Sequence, residues 1–473
     1  MRIRIKNLGV IKQAEFSLGD LTIICGKNNS GKTYAMHAAY GFFDFLNVTP
    51  VFPVDPGALD RLYKEGSIIV PLEPYLENLN EYLDKAAENY SAALFRVFAG
   101  SERQFDNSSV TIIPESVGKI VFSDVEITIG STEKGILKVV STKDKGALDV
   151  SLLANKSNES APPVHIARDV ISDGIGRAIL GSIIPARLFL ASAERTGAAI
   201  FQKELDFTRN RILELLGDKT EKLHPIQLLD SFRGEYPLAV RRNVDFIRDL
   251  PNVVKKESFL LKNHPELLKT FTDIIGGEFR VSRSGEVQYA PSYNSRVKLE
   301  LVESSSSVRS LLDIGFYLRH MAMSGDLLMI DEPELNLHPE NQRKMARLFA
   351  MLINVGIKIF VTTHSDYLIK ELNTLIAFNQ KTPRLLALAE REGYKPYEFM
   401  DPSRVRVFVA EMASIRPDGM SRSGSYNTLT MADIDPVMGI QASTFDNSIE
   451  EMNRIQDEIY WGDETVVLNP DPS

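Results

Sequence analysis

Eight residues, Gly26-Lys27-Asn28-Asn29-Ser30-Gly31-Lys32-Thr33, read G-x-x-x-x-G-K-[ST], the spacing of a loop that cradles phosphate. Gly26 and Gly31 let the chain curl until successive backbone N–H groups face an anion, with the positive end of a helix behind them. Lys32 is then placed to reach the β- and γ-phosphates of ATP, and Thr33 to offer its hydroxyl to Mg2+. Lys27, Asn28, Asn29 and Ser30 form the rest of the cradle. Far downstream, Asp326-Leu327-Leu328-Met329-Ile330-Asp331-Glu332-Pro333 is an apolar run ending in two acids. Asp331 is the candidate for the Mg2+ shell, and Glu332 for polarising the attacking water. A third run, Lys358 to Val361, ends in Thr362-Thr363-His364-Ser365. His364 is the candidate to sense or hold the γ-phosphate. Lys32, Glu332 and His364 thus form the expected catalytic set.

These residues need a strand before the loop, a helix after it, and two further strands that deliver their ends to one crevice. Leu21 to Cys25 reads as the buried strand and Tyr34 to Tyr40 as the helix. Before them, Ile3-Arg4-Ile5 and Ile11 to Phe16 read as strands, with Gly9 and Gly19-Asp20 as turns.

The P-loop, Asp331-Glu332-Pro333-Glu334-Leu335-Asn336-Leu337-His338-Pro339 and Thr362 to Ser365 together resemble the ABC-type ATPases of the OLD (overcoming lysogenisation defect), RecF and structural-maintenance-of-chromosomes group. The similarity is greatest to stand-alone ATPase subunits of bacterial antiviral systems such as Septu and PARIS. It covers the first fifty residues or so and roughly residues 276–375. The resemblance implies an α/β fold, an ABC-type P-loop NTPase head with a mixed central sheet, interrupted by a lobe of helices and strands and by a second, helical insertion. It also implies that Ser304-Ser305-Ser306-Ser307, at the start of a helix bearing Val308, Leu311, Leu312, Phe316 and Leu318, bind the γ-phosphate held by a second head. Serine hydroxyls and free N–H groups at a helix start suit an anion; four serines also suit simple helix capping. The tetrad lacks the glycine of the usual signature. Because P-loop and signature face apart in this architecture, two heads would pair through ATP, with Glu334 to His338 at the seam, and higher homo-oligomers are compatible with this.

Between the motifs, the head is expected over 1–50, an inserted lobe over 51–185, a return to the core sheet over 186–200, a helical insertion over 201–275, the signature, acidic strand and His364 over 276–375, and completion of the head over 376–473. Leu59 to Phe98 reads as helix broken near Gly66 and Pro71, with Leu76, Leu79, Tyr82, Leu83 and Ala86 as an apolar stripe. Ile112 to Leu153 reads as a β-meander including Lys119 to Phe122, and Asn155 to Pro163 as a loop. Arg187 to Ala191 returns to the sheet and feeds Ser192 to Gly197, where related ATPases couple nucleotide to the inserted lobe. The usual glutamine is absent there, so Glu194 and Arg195 are candidates for contact with the nucleotide region or for an internal ion pair. Phe201 to Ile275, with breaks at Pro225, Pro237, Pro251 and Pro265, lacks sustained heptads and predicts compact helices. Glu278 to Val281 and Glu286 to Tyr289, around Ser284-Gly285, form a ribbon followed by Val297 to Val302. Ser448 to Trp461, with Ile449, Met452, Ile455 and Ile459 on one face, reads as a docking helix.

Composition narrows the function. At 473 residues, 44% hydrophobic and 25% charged, the chain can bury a large core. No run approaches the ~18 apolar residues of a membrane helix, so no membrane partner is expected. A single cysteine, Cys25, fits a reducing cytoplasm. Net charge −9 opposes a wholly nucleic-acid-binding surface. A local groove stays open around Arg241, Arg242, Arg248, Lys255, Lys256 and Lys262, although Asp245, Asp249 and Glu257 intervene. Asp433-Ile434-Asp435 matches part of the TOPRIM nuclease pattern but precedes Pro436 and reads as a turn, so no TOPRIM domain is expected.

The resulting expectation is an ATPase switch subunit of a bacterial anti-phage complex, controlling a separately encoded effector such as a nuclease. The alternatives are a DNA-repair or recombination ATPase that clamps DNA; a non-hydrolysing scaffold in which nucleotide is structural, opposed by the intact Lys32, Asp331, Glu332 and His364; and a transporter's energising subunit. The last is opposed by the roughly 270 residues between P-loop and serine tetrad.

Overall fold

One six-stranded sheet carries the P-loop, the acidic pair and His364. The computed structural model describes residues 1–114, 120–131, 134–142, 145–153, 162–185, 187–201, 236–282, 285–294, 296–441 and 452–459. From edge to edge the sheet runs β16 (Gly424–Met431), β15 (Val405–Ile415), β3 (Leu21–Gly26), β14 (Lys358–Thr363), β13 (Leu327–Asp331) and β9 (Leu188–Ala191). Neighbours are parallel except β15 with β16. The fold is therefore α/β with a mixed sheet, as the motifs predict. β3 and β13 are buried at every residue, which is why they read as continuous apolar runs. Alternate residues serve opposite faces: Ile24, Met329, Phe360 and Phe408 join one core, and Ile23, Ile330, Val361 and Val407 another.

The first core lies under α1 (Lys32–Val48) and an antiparallel sheet of β2 (Ile11–Ser17), β1 (Arg2–Leu8) and β5 (Ser109–Ile113). The second lies under α6 (Pro339–Asn354) and α7 (Asp366–Phe378). The inserted lobe holds a second antiparallel sheet, β4 (Ser67–Pro71), β8 (Ala147–Leu152), β7 (Lys134–Ser141) and β6 (Val125–Ser131), packed on α3 (Val164–Leu180). Thus the stretch between Gly66 and Pro71 is a strand rather than a mere break, because β8 is there to pair with it. On α2 (Leu79–Ala92), Leu79, Leu83 and Ala86 are buried, so that stripe is core.

Several expectations change. Residues 120–122 are not in a strand, and β5 leaves the meander to pair with β1. Pro251 does not break its segment: it sits in the last turn of α4 (Leu238–Val253), where the missing N–H removes only one late hydrogen bond. The ribbon forms as expected from β10 (Gly277–Val281), β11 (Val287–Pro291) and the short β12 (Leu299–Glu300). Asp433–Asp435 is itself a short strand, β17, directly after β16 and paired with β18 (Gly439–Gln441). Asp435 accepts hydrogen bonds from the N–H groups of Val437 and Met438 and so closes a turn. The terminal segment is helical over 452–459, but Met452, Ile455 and Ile459 are 60%, 43% and 71% exposed, so this face does not dock on the head. Of the expected loop Asn155–Pro163 only the two prolines are described, and Ser284, residues 202–235 of the helical insertion and both ends of the terminal helix lie outside the described residues.

Candidate active site

Register gathers the motifs. Asp331 is level with Thr362, Thr363 with Cys25, and Gly26 with Ala410, so β13, β14 and β3 end at one edge, beside β15, which runs on to Ile415. The P-loop strand and the acidic strand are not adjacent: β14, which carries His364 at its end, lies between them. At Gly26 (φ 141°) a Cβ would lie 2.5 Å from the Ala410 carbonyl oxygen, and at Gly31 (φ 100°) 2.6 Å from Ile11. Only glycine tolerates both the conformation and the approach. Asn29 is also left-handed, at φ 60°. Gly31 opens α1 without any side-chain cap, whereas α5 (Ser306–Ser310) and α7 are capped by Ser305 and Ser365. The first N–H groups of α1 are therefore left for an anion.

Lys32 is buried and curls back on its own loop, donating to the carbonyls of Gly26 (2.9 Å) and Lys27 (2.8 Å). Burial holds its pKa below the usual lysine value, against the attraction of Glu332 and Asp331. Thr33 donates to Asp331 Oδ1 at 3.2 Å, and Thr362 donates to the same oxygen. Asp331 Oδ2 is buried with no hydrogen-bond partner. A hydroxyl beside a half-satisfied buried carboxylate is a hard-oxygen set that suits Mg2+, so the residues fit the ion.

Glu332 has a left-handed backbone, φ 51°, and its N–H donates to both the carbonyl and the hydroxyl of Thr362 at 3.2 Å. The His364 ring lies between two acids, with Nδ1 3.3 Å from Glu334 and 3.6 Å from Glu332. Glu334 is buried and accepts from the Thr363 hydroxyl (2.8 Å) and the His364 N–H (2.7 Å). Burial raises its pKa, with these hydrogen bonds acting the other way. Hence only Asn336 and His338 of the Glu334 to His338 run are exposed.

The serine tetrad divides. Ser304 is buried and donates to the Leu301 carbonyl at 2.6 Å. Ser305 caps α5 through the Val308 N–H at 3.3 Å, and its hydroxyl lies 2.9 Å from that of Ser307. Ser305 and Ser306 are the exposed members. Arg309 gathers the carbonyls of Leu301, Val302 and Ser304 and reaches the Ser306 hydroxyl, fixing the turn that presents them.

Two residues enter the site that sequence reasoning either missed or left open. His37, on α1, is buried with Nε2 3.5 Å from Asp331 Oδ2; burial lowers its pKa, opposed by Asp331. Its place one turn beyond Thr33, on the same helix face, was the available signal. Arg195, one of the open candidates, is 1% exposed and donates to main-chain carbonyls of the acidic pair. Three of the six residues of the basic cluster pair with acids: Arg242 with Asp44 at 2.7 Å, Arg248 with Asp245 at 3.3 Å and Lys262 with Glu257 at 3.8 Å. Among the described residues no group of three or more His, Cys, Asp or Glu could hold a metal, and no helix is long and apolar enough to cross a membrane.

A protein-family model described as "AAA ATPase domain" matches residues 1–154 and 202–369. No curated protein matches the chain. Solved structures matched by the chain include a structural-maintenance-of-chromosomes (SMC) head bound to the C-winged helix domain of ScpA, at 11% identity over 90% of this chain and 97% of that one, with TM-score 0.31. The SMC head domain from Thermotoga maritima gives 13% identity over 92% and 98%, with TM-score 0.29. An SMC head with an extended coiled coil, bound to the C-terminal domain of ScpA derived from Pyrococcus furiosus, gives 12% over 96% and 98%, with TM-score 0.30.

Proposed function

The chain belongs to the AAA ATPase domain family, and from that premise we propose that it is a switch driven by Mg2+-dependent ATP hydrolysis, in which two copies close on nucleotide and pass their state to a separately encoded effector. The observation that carries this is the meeting of Lys32, Thr33, Asp331, Glu332 and His364 at one sheet edge, beside a helix whose first N–H groups have no side-chain cap.

In this reading the triphosphate lies along Gly26 to Thr33, and Lys32 exchanges its two loop carbonyls for phosphate oxygens. Thr33 and Asp331 would hold Mg2+, which supplies positive charge to the phosphates. Glu332 accepts the proton of the attacking water, and His364, held by Glu334, faces the γ-phosphate. Ser305 and Ser306, outward at the start of α5, engage the γ-phosphate bound by the second copy. The setting we favour is a bacterial anti-phage complex in the cytoplasm with a nuclease as effector, supported by the resemblance of the three motifs to stand-alone ATPase subunits of such systems. The chief rival is an ATPase that clamps DNA in repair or recombination; the net charge of −9 and the pairing of Arg242, Arg248 and Lys262 with acids favour the first reading.

The test is ATP turnover and complex retention by wild type and Glu332→Gln, with and without duplex DNA and the product of the neighbouring gene. Retention of the neighbour by the ATP-loaded variant supports the switch. Stimulation by DNA alone, falling steeply with salt and with no partner retained, replaces it with the DNA-clamping reading.

A further inference from the structure

Among the described residues Arg195 is the largest fully buried side chain, and the function proposed above gives it no task. It lies four residues beyond β9, outside the run of chain that bears any of the three motifs. Its guanidinium spans three separate segments. Nε donates to the Ser310 carbonyl at 2.6 Å, at the end of α5. Nη1 donates to Ser192 and to Asp331 at 2.8 Å each, and Nη2 to Glu332 at 3.0 Å. Four of the five N–H groups of a guanidinium are thus spent on main-chain oxygens. Desolvation lowers its pKa, and the carboxylates of Asp313, Asp331, Glu334 and Glu332 act against that shift. Asp313 is fully buried with neither oxygen hydrogen-bonded.

Charge buried this deeply is costly to keep for packing alone. What it secures is a strained peptide: Glu332 is left-handed at φ 51°, a conformation that an L residue adopts only when its surroundings impose it. The Glu332 N–H is tied to Thr362, and the carbonyls on either side of the residue's own Cα–N link, those of Asp331 and Glu332, are both tied to Arg195. A planar fork can hold two consecutive carbonyls in fixed relation, where an ammonium cannot.

We propose that Arg195 is a positioning residue for hydrolysis: it fixes the backbone of Glu332, and so the direction of its carboxylate, and it ties that backbone to the end of the serine-bearing helix through Ser310. A displacement of α5 is thereby felt at the acidic pair. The inference rests on Glu332 being the group that activates water.

The experiment compares Arg195→Lys, Glu332→Gln and the double variant for ATP affinity, multiple turnover and single turnover. A positioning role predicts that Arg195→Lys binds ATP within about threefold of wild type while kcat falls about 30-fold or more. It also predicts that Arg195→Lys slows the residual single-turnover rate of Glu332→Gln by less than about threefold, because the two act in one unit. Equal slowing in both backgrounds, or a folded Arg195→Lys with wild-type kcat, overturns the inference. Wild-type turnover by Glu332→Gln instead overturns the assignment of Glu332 itself. Should Arg195→Lys fail to fold, Arg195→Gln combined with Asp313→Asn removes both ionisable partners together, and the same loss of kcat without loss of ATP affinity is expected of it; unchanged kcat in that variant again overturns the inference.

Discussion

On the proposed reading Lys32 serves binding and Glu332 serves chemistry, and their variants separate the two. Lys32→Ala is expected to weaken ATP binding by about 100-fold, since it deletes charge-assisted contacts to phosphate; calorimetric titration with ATP checks this. Glu332→Gln keeps binding and lowers turnover by about 100-fold or more. Asp313 offers a test at the same scale that needs no nucleotide. Burial, opposed by Arg195, pushes its pKa up from the ordinary 3.8 to about 7. The folded chain therefore holds a proton that the unfolded chain has lost between about pH 4 and pH 7. Its contribution to stability is full below pH 4 and is lost as pH rises through 7. Urea unfolding should show Asp313→Asn gaining on wild type between pH 5 and pH 8, and a constant difference would refute the burial-driven shift. The motif residues were legible because phosphate chemistry demands particular types at fixed spacing. His37 was missed despite its place one turn beyond Thr33, and Arg195 was left open between two roles, because what each does depends on a contact between segments about 300 and 136 residues apart.

At the scale of elements, the sheet edge at β9 is sealed by one side chain. Asn243 of α4 donates to the Leu190 carbonyl at 2.6 Å and accepts from the Ser192 N–H at 3.1 Å, replacing a neighbouring strand. Asn243→Leu keeps the volume but leaves both groups buried without partners, and should cost about 2–4 kcal/mol in urea unfolding. Because Ser192 leads directly to Arg195, turnover should fall along with stability. The strands β3, β13 and β14 could be read from their apolar runs, since both of their faces are covered. β15 could not: its first half is buried, whereas Met412 and Ser414 are exposed, so the pattern changes along its length. Yet it is the neighbour of the P-loop strand. Its Ala410 approach is also what demands glycine at position 26. A chain ending at Arg391 should therefore fail to give a folded protein by circular dichroism, although every motif is retained.

For the molecule as a whole, the site described here is incomplete within one chain on the proposed reading. Ser305 and Ser306 open outward at the start of α5, while their helix end is tied to the acidic pair through Arg195. Two copies facing each other would place each exposed serine pair on the other's nucleotide, so closure and alignment of Glu332 become one event. The exposed apolar face of residues 452–459 and the lobe built on β4 and β6 to β8 lie outside that site. The pairing of heads was suggested by resemblance and by the order of the motifs, not by any periodicity, and it is the step on which the switch depends. The most direct test is the solution mass of Glu332→Gln, with saturating Mg2+ and ATP and without nucleotide, measured by light scattering. Pairing predicts a mass that doubles from the 52.9 kDa chain when ATP is added, and that stays single in Glu332→Gln carrying Ser306→Arg. A mass unchanged by ATP, in a variant shown to have bound it, would contradict a site shared between two copies.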